Sequence, residues 1–164
     1  MSKEIVVIGG GPAGIEAARA AAKAGAKVTI VTDAPLGGRA GWHSLLPSKV
    51  WLNAADTLGA VQHAGALGVQ IDGTVRPDPA AVLARISAVA QSWNGQQAAE
   101  LAALGVETVT GTARFVDSTT VEVTSSQADG RQLTAAAFIV AAGSVPVFPP
   151  NMKPDGKRIL APRF

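Results

Sequence analysis

Glu4-Ile5-Val6-Val7-Ile8-Gly9-Gly10-Gly11-Pro12-Ala13-Gly14-Ile15 is the stretch that decides the fold. The short β-branched run at residues 3–8, closed by glycines, predicts a buried strand. Gly9 to Gly11 predict a tight turn, and Pro12 stands where the first helical position tolerates a missing N–H. The helix carries Ile15, Ala18 and Ala22 on one face and stops at Gly25. Lys27 to Val31 is a second β-branched run. Strand, glycine turn, helix and strand in this order make a βαβ unit.

The turn itself has chemical content. Gly9, Gly11 and Gly14 fit G-x-G-x-x-G, with Pro12 and Ala13 between the last two. The first glycine permits the tight turn, the second lets a pyrophosphate approach the backbone, and the third lets helix and strand pack closely. The free N–H groups and positive dipole end of the helix then face the phosphates. This pattern predicts a dinucleotide site. Such a site expects an acidic side chain after the second strand to bind a ribose diol. That position reads Val31-Thr32-Asp33, so either Asp33, shifted by one residue, or Thr32 is the candidate.

Composition bounds the rest. The chain has 164 residues, 48% hydrophobic and 16% charged, which suits one ordinary folded domain and excludes disorder. Cysteine is absent, which excludes disulfides, thiolate metal sites, iron–sulfur clusters and a cysteine nucleophile. The net charge is only +2 and the basic residues are scattered, so no nucleic-acid partner is expected. The alanine-rich run at residues 17–26 is interrupted by Arg19 and Lys23 and is no membrane span. The expectation is a soluble, cytoplasmic protein without a metal site.

Further along, residues 34–47 read as a glycine-bearing loop. A helix then opens at Pro47 or Ser48 and runs to about Leu67, with Val50, Ala54, Leu58 and Val61 along one face. Residues 69–71 suggest a short strand. Asp78-Pro79 is a helix start, with Asp78 as N-cap. From there Val82, Ile86, Val89, Trp93, Leu101 and Leu104 form a helical stripe to Gly105, which Asn94-Gly95 threatens to kink or break. Val/Thr-rich runs at 106–110, 113–116 and 119–124, a turn at 128–130 and a run at 131–134 predict a small β-meander. Residues 138–142 return as a buried strand. Five prolines between Pro146 and Pro162 mark a linker or tail. The predicted organisation is one domain over residues 1–145 and a proline-rich segment over 146–164.

Several of these segments together resemble the FAD-binding N-terminal part of the pyridine nucleotide–disulfide oxidoreductases, of the dihydrolipoamide dehydrogenase and mercuric reductase kind. The resemblance rests on residues 25–31, Gly37-Gly38, Pro47-Ser48-Lys49, Gly111-Thr112-Ala113-Arg114-Phe115-Val116-Asp117 and Ala141-Ala142-Gly143-Ser144-Val145-Pro146, in order and at matching spacing. It implies a Rossmann-like α/β FAD-binding domain with a small antiparallel meander, and a continuous helix through Gly95. By the same resemblance FAD lies on the glycine turn, with Gly37 and Gly38 toward the flavin. Thr112 and Ala113 would meet adenine through their backbone, and Ala142-Gly143 would take the place of the family's Thr-Gly. Lys49 would stand beside the flavin N5, where a fixed positive charge favours the reduced, anionic flavin.

Two departures stand against that background. The family's redox disulfide falls at Ala40 and Leu45 here, so dithiol exchange has no thiolate to run on. His43, in the loop between these positions, is a candidate proton relay and Trp42 a space-filler. The resemblance also ends where the family's second nucleotide domain would begin. NAD(P)H would therefore be bound by a missing domain or partner, and a homo-oligomer or a second subunit is expected to complete the FAD site. The implied activity is electron transfer from NAD(P)H through flavin to an acceptor other than a disulfide. The alternative is a non-catalytic nucleotide-binding module that works only with a partner.

Overall fold

A computed structural model describes residues 2–125 and 128–160. Its centre is a parallel sheet built from the β-branched runs. β1 (Glu4–Ile8) pairs with β2 (Lys27–Thr32) on one side and with β7 (Ala137–Val140) on the other, and β2 pairs with β3 (Glu107–Thr110). The strand order is therefore β3-β2-β1-β7. A second, antiparallel sheet is formed by β4 (Thr112–Phe115), β5 (Thr120–Ser125) and β6 (Ala128–Thr134), in that order.

Each face of the parallel sheet is covered differently, because successive side chains along a strand point to opposite faces. Val7, Val28 and Ile30 pack with Ile15 and Ala18 of α1 (Pro12–Lys23) and Leu101 of α4 (Pro79–Ala103). Val6 and Val31 instead pack with Val121, Val123 and Ala135 of the antiparallel layer. The result is a three-layer sandwich of helices, parallel sheet and meander. Each of these fully buried Val or Ile side chains contributes roughly 1.5–3 kcal/mol relative to exposure. Across the layers, the edge strands are tied by Arg131 of β6, which donates to the Glu107 carboxylate of β3 at 2.7 Å.

The helical stripes fall where periodicity places them. Val50, Ala54, Leu58 and Val61 are among the half-buried positions of α3 (Leu45–His63), which packs along α4, and a turn of 3-10 helix follows at Ala64–Leu67. Asp78 caps α4 by accepting from the Ala80 and Ala81 amides at 3.0 and 3.1 Å. Helix α4 runs without interruption through Asn94-Gly95, as the family resemblance implied.

Five expectations need correction. The strand expected buried over 138–142 is β7, Ala137–Val140, and as the edge strand of the sheet it is only half-buried, with Val140 64% exposed. The segment 34–47 is not a plain loop: it contains a short helix, α2 (Gly38–Trp42), and α3 begins at Leu45 rather than at Pro47 or Ser48. Residues 69–71 form no strand: no strand pairs with them among the described residues, and all three are exposed. Residues 128–130, expected as a turn, already belong to β6, with Ala128 paired to Ser125. Residues 161–164 of the proline-rich segment lie outside the described residues; its described part carries no helix or strand.

Candidate functional site

All four parallel strands end on one edge of the sheet, and the glycine-bearing turns gather there. β1 runs into Gly9, whose N–H donates to the Val31 carbonyl of β2 at 2.8 Å. Beside it, Ala141, just past β7, donates to the Ile8 carbonyl at 2.7 Å. Gly9 has a φ of 113°, a backbone state that favours glycine, and a Cβ there would collide with the Ala141 carbonyl. Ala142 and Gly143 follow directly and are exposed. The order of strands reverses between β1 and β7, and carboxyl-end crevices at such switch points are where open α/β sheets take their ligands.

The three glycines of the turn are used differently. Gly14 is packed onto the Gly9 carbonyl, with no room for a side chain. Gly11, the N-cap of α1, faces open space, with no atom within 4 Å of where its Cβ would stand. Pro12 follows without an N–H, and Pro12 and Ala13 are both exposed. No acidic side chain stands in the first turn of α1, and the Ala13 and Gly14 amides precede the first intrahelical bond, Ile15 N–H to the Gly11 carbonyl at 2.9 Å. The chain thus leaves a positively polarised, side-chain-free notch at a helix start. Its shape and its donors fit a pyrophosphate, the central group of FAD.

A second glycine turn closes the notch from one side. The Gly37 amide donates to the Gly10 carbonyl at 2.7 Å, and a Cβ on Gly38 would stand 2.9 Å from the Gly11 Cα. Gly38 opens α2, which carries Ala40 half-buried; His43 is exposed at its end. Lys49 is an exposed residue of α3, with no ion-pair partner among the described residues. Trp42, read from the sequence as a space-filler, donates its indole N–H to the Leu36 carbonyl at 2.9 Å.

At the end of β2 the two ribose candidates separate. Thr32 is buried, 7% exposed, and its hydroxyl donates to the Ala34 carbonyl at 2.8 Å. Asp33 is exposed. The carboxylate is thus the group left free at the strand end, while the threonine is spent on the turn. Thr112 and Ala113 lie on β4, the outer strand of the meander, which pairs with β5 on one edge only. Its other row of backbone groups has no strand partner among the described residues. Gly111 joins it to β3, donating to the Thr32 carbonyl at 2.8 Å.

The whole of this arrangement, residues 3–160, matches the family model described as pyridine nucleotide-disulphide oxidoreductase. The chain belongs to that family. Its enzymes use FAD and NAD(P)H. Among relatives, a dihydrolipoyl dehydrogenase of Chlorobaculum tepidum is 36% identical, aligned over 98% of this chain and 34% of its own. An NAD(P)H dehydrogenase (quinone) of Mycobacterium tuberculosis is 30% identical over 98% of this chain and 34% of its own. The chain therefore spans about a third of the length of the curated relatives it matches. Among solved structures, LpdA from M. tuberculosis superposes with a TM-score of 0.85 at 29% identity, covering 98% of this chain and 36% of that one. The flavoprotein disulfide reductase RclA from Escherichia coli shares the fold, with a TM-score of 0.69 at 23% identity.

The opposite edge of the sheet offers a shallow polar depression but no free charge. Lys27 is paired with Glu4 at 2.8 Å and Arg131 with Glu107 at 2.7 Å. Their hydrogen bonds raise the Lys27 ammonium and hold the Glu107 carboxyl below its ordinary range. No group of three or more metal-ligating side chains occurs among the described residues, and none of their helices is long and apolar enough to cross a membrane.

Proposed function

We propose that this chain is the FAD-binding portion of a flavoprotein oxidoreductase that passes electrons from NAD(P)H to an acceptor other than a disulfide. The observation that carries the first half is the contrast at one turn: Gly9 and Gly14 are closed by packing while Gly11, between them, is open. A merely tight βα turn needs the closed positions and has no use for the open one. In this reading the Ala13 and Gly14 amides bind the pyrophosphate with Gly11 and Pro12 beneath it. Asp33 takes the ribose diol, and Thr112 and Ala113 meet the adenine edge through their backbone. Gly37, Gly38, Ala142 and Gly143 line the way toward the flavin, and Lys49 supplies positive charge near it.

FAD, when bound, supplies the redox chemistry, accepting an electron pair from a reduced nicotinamide and releasing it to an acceptor. The chain's own task is to bind, orient and bias that group electrostatically. The cysteine positions of the family fall at Ala40 and Leu45, so no dithiol takes the electrons onward. A quinone is the acceptor class we favour, because a relative of 30% identity carries that activity in its name. His43, exposed beside these positions, would serve as a proton relay to such an acceptor.

The nicotinamide site and the remainder of the FAD site would come from polypeptide beyond these residues, from a second subunit or from a second copy of the chain. The short span relative to the relatives also favours a second reading, a nucleotide-binding module that is catalytic only with a partner. Titrating the purified protein with FAD while following flavin fluorescence and melting temperature tests the common premise. Quenching with a raised melting temperature is expected; neither change sinks both readings. Anaerobic bleaching of the bound flavin by NADH or NADPH then separates the enzyme from the module.

A further inference from the structure

The notch at Gly10–Gly11 is braced from a distance. Leu36 is buried, and its carbonyl accepts from two side chains, the Trp42 indole N–H at 2.9 Å and the Asn94 amide. Asn94 lies in the middle of α4, far away in sequence. The preceding residue, Trp93, presses its ring against α2. A Cβ on Gly41 would stand 2.9 Å from that ring, and one on Gly37 would collide with it. From there the contacts run on without a gap, through the Gly37 amide to the Gly10 carbonyl and from Gly38 to Gly11.

Asparagine and glycine in a helix interior both weaken the helix relative to alanine. At Asn94-Gly95 the helix accepts that cost, and the asparagine's N–H is spent on a carbonyl of another element. The glycines at 37 and 41 likewise give up side chains to admit one indole. We propose that Trp93 and Asn94 are positioning residues for the dinucleotide notch. They hold Leu36–Gly38 in place and, through Gly37 and Gly38, set the backbone of Gly10 and Gly11 to receive a pyrophosphate. Neither residue touches the notch itself. The inference rests on the FAD reading for its consequence, and on the packing alone for its mechanism.

The test uses Asn94→Ala, Asn94→Gln and Trp93→Leu in the full protein. Asn94→Ala loses the donor but gains helix propensity, and Trp42 still bonds the Leu36 carbonyl, so the melting temperature should move little. Three quantities are read: melting temperature, amide hydrogen exchange across residues 36–41, and the FAD dissociation constant from flavin fluorescence. Expected for Asn94→Ala is exchange about tenfold faster at residues 36–41, with β1, β2 and α1 unchanged, and FAD binding about tenfold weaker. Trp93→Leu should accelerate the same amides, and Asn94→Gln should restore most of both losses by returning the donor. Unchanged exchange at residues 36–41 in Asn94→Ala and Trp93→Leu, or an acceleration spread evenly over the sheet, would overturn the proposal. So would a loosened segment that binds FAD as tightly as before. If the unaltered protein binds no FAD, the functional reading falls by itself, and the exchange pattern still decides whether these residues position the notch.

Discussion

A Cβ placed on Gly14 would drive into the carbonyl oxygen of Gly9, so the first turn of α1 sits directly on the turn that ends β1. This contact sets the depth at which the helix start enters the sheet edge. Gly14→Ala must therefore push helix and strand apart, at a site where both neighbours are backbone and neither can rotate away. We expect a loss of about 1–3 kcal/mol, the range for overpacking a close contact. Urea denaturation of the variant against the parent measures it. A loss within about 0.5 kcal/mol, the ordinary surface value, would show that the helix slides without strain.

Gly11 makes the opposite case. It is extended, with φ −75° and ψ 178°, and no atom lies within 4 Å of its Cβ position. Gly11→Ala should leave stability within about 0.5 kcal/mol but fill the space through which a pyrophosphate approaches. FAD affinity should fall by at least about tenfold, as for a lost charge-assisted contact. Fluorescence titration and urea denaturation on the same sample separate the two effects. Weakened folding with unchanged binding would place the ligand elsewhere.

Local patterns carried the sequence reading as far as contacts are local. The β1–α1–β2 unit needs only β-branched runs, three glycines and Pro12, and it forms with nearly the expected bounds. The Asp78 cap is likewise written in two adjacent residues. Helix α2 was illegible because Gly37, Gly38 and Gly41 individually read as loop. The Trp93 indole packed on Gly37 and Gly41, and the Asn94 amide bonded to the Leu36 carbonyl, hold the segment in which Gly37 caps a helix over Gly38–Trp42. Both come from α4, distant in sequence. The same holds within the site. Thr32 and Asp33 are equivalent on spacing, and only the Ala34 carbonyl, which takes the Thr32 hydroxyl, leaves Asp33 as the free group. The continuity of α4 through Asn94-Gly95 contradicted local propensity, and family resemblance rather than periodicity anticipated it.

The Glu107–Arg131 pair joins the edges of the two sheets and gives stability a pH signature. The hydrogen bond from Arg131 is the main cause that holds the Glu107 carboxyl below its ordinary value. A depressed carboxylate adds stability that is fully present above the unfolded value, near pH 4.3, and is lost as pH falls through the lower folded value. Both side chains are about half exposed, at 45% and 49%, so solvent screening limits the gain to at most about 1 kcal/mol. Arg131→Gln should be less stable by up to that amount at pH 7, and the difference should shrink below about pH 4 or in about 1 M salt. Denaturation at both pH values is the check. A gap that persists in acid would assign the effect to packing of the arginine stem instead.

Loss of the cysteines has a consequence that can be counted in electrons. Where a dithiol stands beside a flavin, reductive titration consumes equivalents for both groups, and the thiol reduced form reacts with arsenite or maleimide. By the family resemblance the corresponding positions here are Ala40, half-buried in α2, and Leu45, 55% exposed at the start of α3, and the chain has no cysteine anywhere. Anaerobic dithionite titration of the FAD-loaded protein should end when the flavin alone is reduced, with no further uptake. Thiol reagents added to the reduced protein should leave its spectrum and its reoxidation by a quinone unchanged. Uptake beyond the flavin's own equivalents would reveal a second redox group and overturn the assignment of flavin as the sole electron carrier of this chain.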